Sequence, residues 1–138
     1  SWARRCVSET AMGVGNSIIQ GSCLITGTST FNSQGGNLES PGNSCGLNGT
    51  ADQTNVANPL LGALAANGGP TETHALLAGS PAIDAGLNTP CPMTDQRGAT
   101  RPFEGDNNNT ANCDIGAYEF GAQVPTPTGP IFSDDFED

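Results

Sequence analysis

A chain of 138 residues in which 14 acidic residues face four arginines and no lysine carries a net charge of -10, which excludes nucleic acid and anionic membrane surfaces as natural partners. Five Phe, one Trp and one Tyr exclude a thick two-layer core, while 19 Gly and 10 Pro favour many short strands joined by tight turns. No apolar run approaches the roughly 20 residues that a membrane-spanning helix needs.

Taken in chain order, Ser1-Trp2-Ala3-Arg4-Arg5-Cys6 has neither a charged-then-apolar leader nor a cap, and reads as a start partway through a repeating coil. Asn16-Ser17-Ile18-Ile19, Asn37-Leu38-Glu39 and Asn58-Pro59-Leu60-Leu61 each place apolar residues after an Asn, and successive Asn positions are 21 apart. Ser80-Pro81-Ala82-Ile83 comes one residue late. A period of this length falls in the solenoid range, where each coil buries its inward side chains against the coils above and below. Asn16, Asn37 and Asn58 are then expected to stack as a hydrogen-bonded ladder.

Leu60, Leu61 and Leu64 form an apolar run too short for a free-standing helix, and Asn67-Gly68-Gly69-Pro70 forces a turn with positive backbone angles. In Thr71-Glu72-Thr73-His74, either Thr is placed to cap a single helical turn, with His74, the only histidine, in a structural role. Ser80 to Gly86 reads as a short strand closed by an Asp/Gly turn.

Cysteine spacing matches the same period: Cys23 to Cys45 and Cys91 to Cys113 are each 22 residues apart, about one coil. Residues one coil apart lie roughly 4.8 Å from each other on adjacent strands, within disulfide reach. The expected pairs are Cys23 with Cys45 and Cys91 with Cys113, each worth about 3 kcal/mol by the chain-entropy argument, in an oxidising compartment. Cys6 is left over or bonded upstream. One His and no CxxC pair argue against a zinc site.

The run from Asn58 to Gly86, then Cys91-Pro92-Met93-Thr94-Asp95-Gln96-Arg97-Gly98, Arg101-Pro102 and Cys113-Asp114-Ile115-Gly116-Ala117-Tyr118-Glu119-Phe120, resembles the C-terminal region of bacterial choice-of-anchor Q domain proteins. The resemblance extends from about Asn16 to Phe120, with its motifs in the family's order. It implies a right-handed parallel β-helix of the pectin-lyase-like type and export to the cell surface or medium, and it brings no catalytic residues with it. The expected fold is therefore all-β: residues 1–121 as the C-terminal coils of a parallel β-helix with one short helical turn, 122–130 as a stiff Pro/Thr linker, and 131–138 as an extended acidic aromatic tail.

Asp84, Asp95, Asp114 and Glu119 offer carboxylates for glycoside hydrolysis, but Asp beside Gly more often forms turns. Arg97 is expected to tie the terminal coils by pairing with Asp84 or Asp114, leaving all three in structural roles. Lyases of the implied fold pair calcium with a basic residue; here only Arg97 and Arg101 lie beyond residue 5. Gly105 to Ala111 is a loose match to a calcium loop, without the central Gly and the closing Glu, and is read as a surface loop; no cofactor is assigned, with calcium as the alternative. The resulting expectation is a non-catalytic extracellular or cell-surface β-helix module, structural, adhesive or carbohydrate-contacting. Its partners would be extracellular polysaccharide, other surface proteins, or copies of itself through solenoid ends. The alternative is a fragment of a β-helix polysaccharide lyase or glycoside hydrolase whose active site lies mostly upstream.

Overall fold

The computed structural model describes residues 11–27 and 30–126. The expectations for Cys6, for the tail at 131–138 and for part of the Pro/Thr segment lie outside them. Six short strands occur in the order β1 (Met12–Gly15), β2 (Ile18–Gln20), β3 (Phe31–Gly35), β4 (Leu38–Ser40), β5 (Leu61–Ala65) and β6 (Thr73–Leu76). They form three separate two-stranded sheets: β1 with β3 and β2 with β4 in parallel, and β5 with β6 antiparallel.

Corner residues keep the strands short. Asn16 turns the chain between β1 and β2 at a φ of 46°, and Gly35 and Gly36 turn it between β3 and β4 at 96° and 66°. A Cβ on Gly36 would collide with Asn16 Oδ1, so only glycine lets the two corners nest. Asn16 Oδ1 also accepts the Leu87 amide at 2.7 Å, and its Nδ2 donates to the carbonyls of Leu87 and Pro90.

This architecture corrects the solenoid expectation. The parallel register of Ile18 with Leu38 advances by one further step, the single bridge between Leu38 and Gln53, and then ends. The chain turns back as an antiparallel hairpin at β5 and β6, and from residue 77 to 126 the described residues form no strand, only a bridge between Thr94 and Thr100. Stacked coils of a right-handed parallel β-helix are therefore not found. The physical reason lies in the third repeat: Pro59 has no amide to donate to a ladder, and Leu60 takes a φ of 53°, which swings the backbone out of parallel register. Asn37 Oδ1 accepts the Ser17 amide at 3.1 Å, Asn16 bonds Leu87 and Pro90, and Asn58 Oδ1 accepts the nearby Leu60 amide at 2.9 Å, so the three side chains do not form the expected Asn ladder.

Two local expectations are corrected as well. Thr71 to Leu77 forms no helical turn; it contributes β6, whose Thr73 is buried and whose hydroxyl accepts from Asn67 Nδ2 at 3.1 Å. Helix is absent among the described residues because β5 supplies a partner for β6 and the intervening Gly68 and Gly69, at φ of 93° and 76°, close the hairpin. Ser80 to Gly86 is a turn, not a strand: Ser80 Oγ donates to the Pro59 carbonyl at 2.7 Å and Asp84 sits at a φ of 51°.

The core is small. Leu38, Leu76, Ala82 and Ile115 are buried together, with Ile18, Val56, Leu61, Ile83, Tyr118 and Phe120 packed around them. Strands and both long loops thus contribute to one cluster. Cys23 is joined to Cys45 and Cys91 to Cys113, at Cα separations of 4.9 Å and 6.3 Å. All four cysteines lie in loops, so the bonds clamp turns and not neighbouring coils. Two disulfides suit a secreted or extracellular protein. Among the described residues no helix is long and apolar enough to cross a membrane.

Candidate functional site

The acidic residues divide into those that hold the loops together and one that faces an open groove. Because no described residue after 77 belongs to a strand, the amides there need other acceptors, and carboxylates supply many of them. Asp95 Oδ1 accepts the amides of Arg97 and Ala99 at 2.8 Å and 3.1 Å, while Oδ2 accepts the Glu119 amide at 2.9 Å and Arg97 Nη2 at 2.7 Å. Burial pushes the Asp95 carboxyl up, but the Glu119 amide and the Arg97 guanidinium outweigh it and hold it below the ordinary carboxylate range.

Arg97 therefore pairs with Asp95, not with Asp84 or Asp114 as expected. The turn of Thr94-Asp95-Gln96-Arg97-Gly98 brings side chains two residues apart onto one side, and the guanidinium continues to the Glu119 carbonyl at 2.8 Å and over the Tyr118 ring at 3.6 Å. Arg101 Nη2 donates to the Gly116 carbonyl at 2.6 Å, and its Nε lies 2.9 Å from Glu119 Oε2, an ion contact not aligned as a hydrogen bond. Spacing does not reveal this second pair, whose partners stand 18 residues apart and meet only through the tertiary fold.

Asp114 and Glu119 are fully buried. Asp114 Oδ1 accepts the Asp84 amide at 2.7 Å and Oδ2 the Phe120 amide at 2.5 Å; Glu119 accepts the amides of Phe103 and Asp114 at 2.7 Å and 3.1 Å. Burial pushes the Asp114 carboxyl up to about 7, against its two amide donors and with the charges of Glu119 and Asp84 adding to the effect. Burial likewise raises Glu119, opposed by the Phe103 and Asp114 amides and by Arg101.

Two further carboxylates that composition alone does not single out act the same way. Glu39 accepts the amides of Ser44 and Cys45 and the Ser44 hydroxyl, shaping the loop that presents Cys45. Asp52 accepts the amides of Asn37 and Gly49 and the Ser33 hydroxyl. Burial raises Asp52, but the Ser33 hydroxyl and these amides hold it low.

Asp84, Glu104 and Asp106 come close enough for their carboxylate oxygens to lie within 4.8 Å of one another. Asp84 already accepts the amides of Gly105, Asp106 and Asn112, and Asn108 donates to both Glu104 and Asp106. The loop at 105–111 is a hydrogen-bonded acidic turn, closed beneath by the Cys91–Cys113 bond.

One large groove, of about 1180 Å³, opens between the β1–β2 corner, the β5–β6 hairpin and the segment around Tyr118. Ile18, Leu64 and Leu76 give it apolar walls, and Glu72, His74, Gln96, Arg101 and Tyr118 reach it with polar groups. Among the described residues that line it, Glu72 is the only carboxylate. Of the polar residues weighed for a role from sequence, Asn16, His74 and Arg101 border this groove; Asn37, Asp84, Arg97 and Asp114 belong to the framework and Asn58 to an exposed turn. Gln96 and Tyr118 sit inside motifs whose charged members carry the stronger sequence signal. No family model, curated protein or solved structure matches the chain.

Proposed function

We infer that this chain is a non-catalytic extracellular module that works by contact, in an adhesive or carbohydrate-binding role. The observation that carries this reading is the distribution of its carboxylates. Glu39, Asp52, Asp84, Asp95, Asp114 and Glu119 all accept backbone amides, and the groove retains one acid, Glu72. Glycoside hydrolysis needs two carboxyl groups across the scissile bond, about 5 to 10 Å apart. Asp114, whose raised carboxyl would suit a general acid, is sealed from solvent and cannot reach a sugar. Lyase chemistry that uses an arginine as its base finds no free arginine in the groove among the described residues, since Arg101 is held by Glu119.

Two disulfides and the strongly acidic composition support an extracellular setting. The ordered motifs from Asn58 to Phe120 support placing the chain with choice-of-anchor Q domain proteins, as regards surface location. The test is a depolymerisation and binding screen on extracellular polysaccharides, with and without calcium. Retention on a polysaccharide without new reducing or unsaturated ends is the expected result. Turnover that survives purification and disappears with Glu72→Gln overturns the reading.

A further inference from the structure

We propose that the groove between the β5–β6 hairpin and Tyr118 is a binding site for a neutral, hydroxyl-rich glycan chain. The inference rests on the non-catalytic extracellular reading and adds to it a site and a ligand class. Its first support is a row of side chains that the tertiary fold brings into line. Gln96 donates its amide to the Ala117 carbonyl at 3.1 Å, which sets it beside Tyr118. Its carboxamide Nε2 then donates to Thr71 Oγ1 at 2.7 Å and reaches toward the Glu72 carbonyl at 3.4 Å. This pins Gln96 between the Tyr118 segment and the start of β6. Glu72, just before β6, and His74 within it continue the row on either side of buried Thr73.

The second support is the unused hydrogen-bonding capacity of that row. With Nε2 committed, Gln96 presents Oε1, an acceptor with no partner among the described residues. His74 Nδ1 lies 2.8 Å from the Gly62 carbonyl, so Nδ1 carries a proton, and in that tautomer of the imidazole Nε2 is the acceptor. The Glu72 carboxylate accepts nothing among the described residues, and the Tyr118 hydroxyl is likewise uncommitted there. Three acceptors and a phenol therefore face the groove, and Arg101, its one cation among the described residues, is already neutralised by Glu119.

Such a row is complementary to a ligand that brings hydrogen-bond donors without negative charge. Sugar hydroxyls are donors at close spacing, and the C–H faces of a pyranose suit the apolar walls of Ile18, Leu64 and Leu76 and the ring of Tyr118. Arg97 covers one face of that ring at 3.6 Å and holds it in place. A uronate or sulfated chain would set its anions against Glu72 on a molecule of net charge -10. A peptide backbone would bring as many carbonyl acceptors as donors, half of which this row leaves unanswered.

The experiment is affinity electrophoresis and calorimetry of the full chain with a neutral β-glucan and a galactomannan, against polygalacturonate, alginate and an arginine-rich decapeptide. The neutral polymers should bind and the acidic ones should not. Glu72→Ala combined with His74→Ala, both at exposed positions, should weaken binding by about tenfold or more, as should Gln96→Ala. Tyr118→Ala touches the core, so its result counts only with an unchanged circular dichroism spectrum. Leu24→Ala, on an exposed side chain outside the groove lining, should bind as the parent does. Neutral-glycan binding that ignores the groove substitutions overturns the site, and a preference for acidic polymers or for the peptide overturns the ligand class. Absence of any polysaccharide binding overturns this inference, whereas turnover is what overturns the non-catalytic reading.

Discussion

Asp114 shows how one residue couples burial to pH. Its carboxyl is raised from 3.8 to about 7 by burial first, and by the charges of Glu119 and Asp84 after that. A group raised in the folded state contributes stability that is complete below its unfolded value and is lost as pH rises through its folded value. Stability from Asp114 therefore falls between about pH 4 and pH 8, and Glu119, raised in the same direction, adds to the trend. Asp95 and Asp52 work oppositely: being lowered, they stabilise above their unfolded value and lose that contribution as the solution becomes strongly acidic. Urea unfolding should give a lower midpoint at pH 8 than at pH 5, and Asp114→Asn should flatten that difference. The variant will also be weaker at every pH, by about 1 to 3 kcal/mol, because an amide cannot accept from both Asp84 and Phe120. A midpoint that rises between pH 5 and pH 8 in the parent contradicts this account. Arg97→Lys should be no mild change, since one ammonium cannot serve Asp95, the Glu119 carbonyl and the Tyr118 ring together. A loss of about 2 kcal/mol or more is expected in the same unfolding assay.

At the scale of elements, the hairpin of β5 and β6 decides where parallel pairing stops, and its turn is where a small change does most damage. Gly69 stands at a φ of 76°, and a Cβ there would lie 2.6 Å from Arg97 Cα. Gly42 has a comparable φ of 87°, yet a Cβ on it meets nothing within 4 Å. Gly42→Ala should cost only the left-handed backbone penalty, about 1 to 2 kcal/mol, whereas Gly69→Ala adds a clash with backbone and should cost several kcal/mol. Equal thermal shifts for the two variants would show that the turn is not pinned against Arg97. The Asn67-Gly68-Gly69-Pro70 turn was legible because glycine is the residue that adopts such angles freely. The next segment was not, since Thr71 to Leu77 is compatible with a capped helical turn until β5 is known to lie alongside and accept its hydrogen bonds. The 21-residue spacing of Asn does not translate into stacking for the same reason: Asn37 accepts the Ser17 amide, Asn16 turns instead to Leu87 and Pro90, and Pro59 takes Asn58 out of register.

For the whole molecule, a central apolar cluster of four buried side chains among the described residues is too small to carry the fold unaided, and the disulfides and carboxylate network share the task. Each disulfide spans 22 residues, so removing one should cost about 3 kcal/mol. Paired replacement of Cys23 and Cys45 by serine, with thermal unfolding as the readout, tests this, and a melting temperature within a degree of the parent would contradict it. Cysteine spacing points to these partners, but by a route that the structure replaces. Cys91 and Cys113 do not face each other across adjacent strands; they meet where Asn88 accepts the Cys113 amide at 2.8 Å and draws two loops together.

Sequence by itself determined what depends on local covalent geometry and on composition. Glycine and asparagine marked the corners, proline marked the ends of pairing, a surplus of acids fixed the net charge, and the scarcity of large apolar residues fixed the loop-rich character with its short strands. Only the tertiary structure decided which acids are buried, which cation meets which anion, and which polar groups face the groove. Arg101 and Glu119, or Gln96 and Tyr118, carry no signal of their meeting in one dimension. Their contact depends on how loops without strand partners satisfy their backbone amides, and that is settled only when the whole chain has folded around its small core.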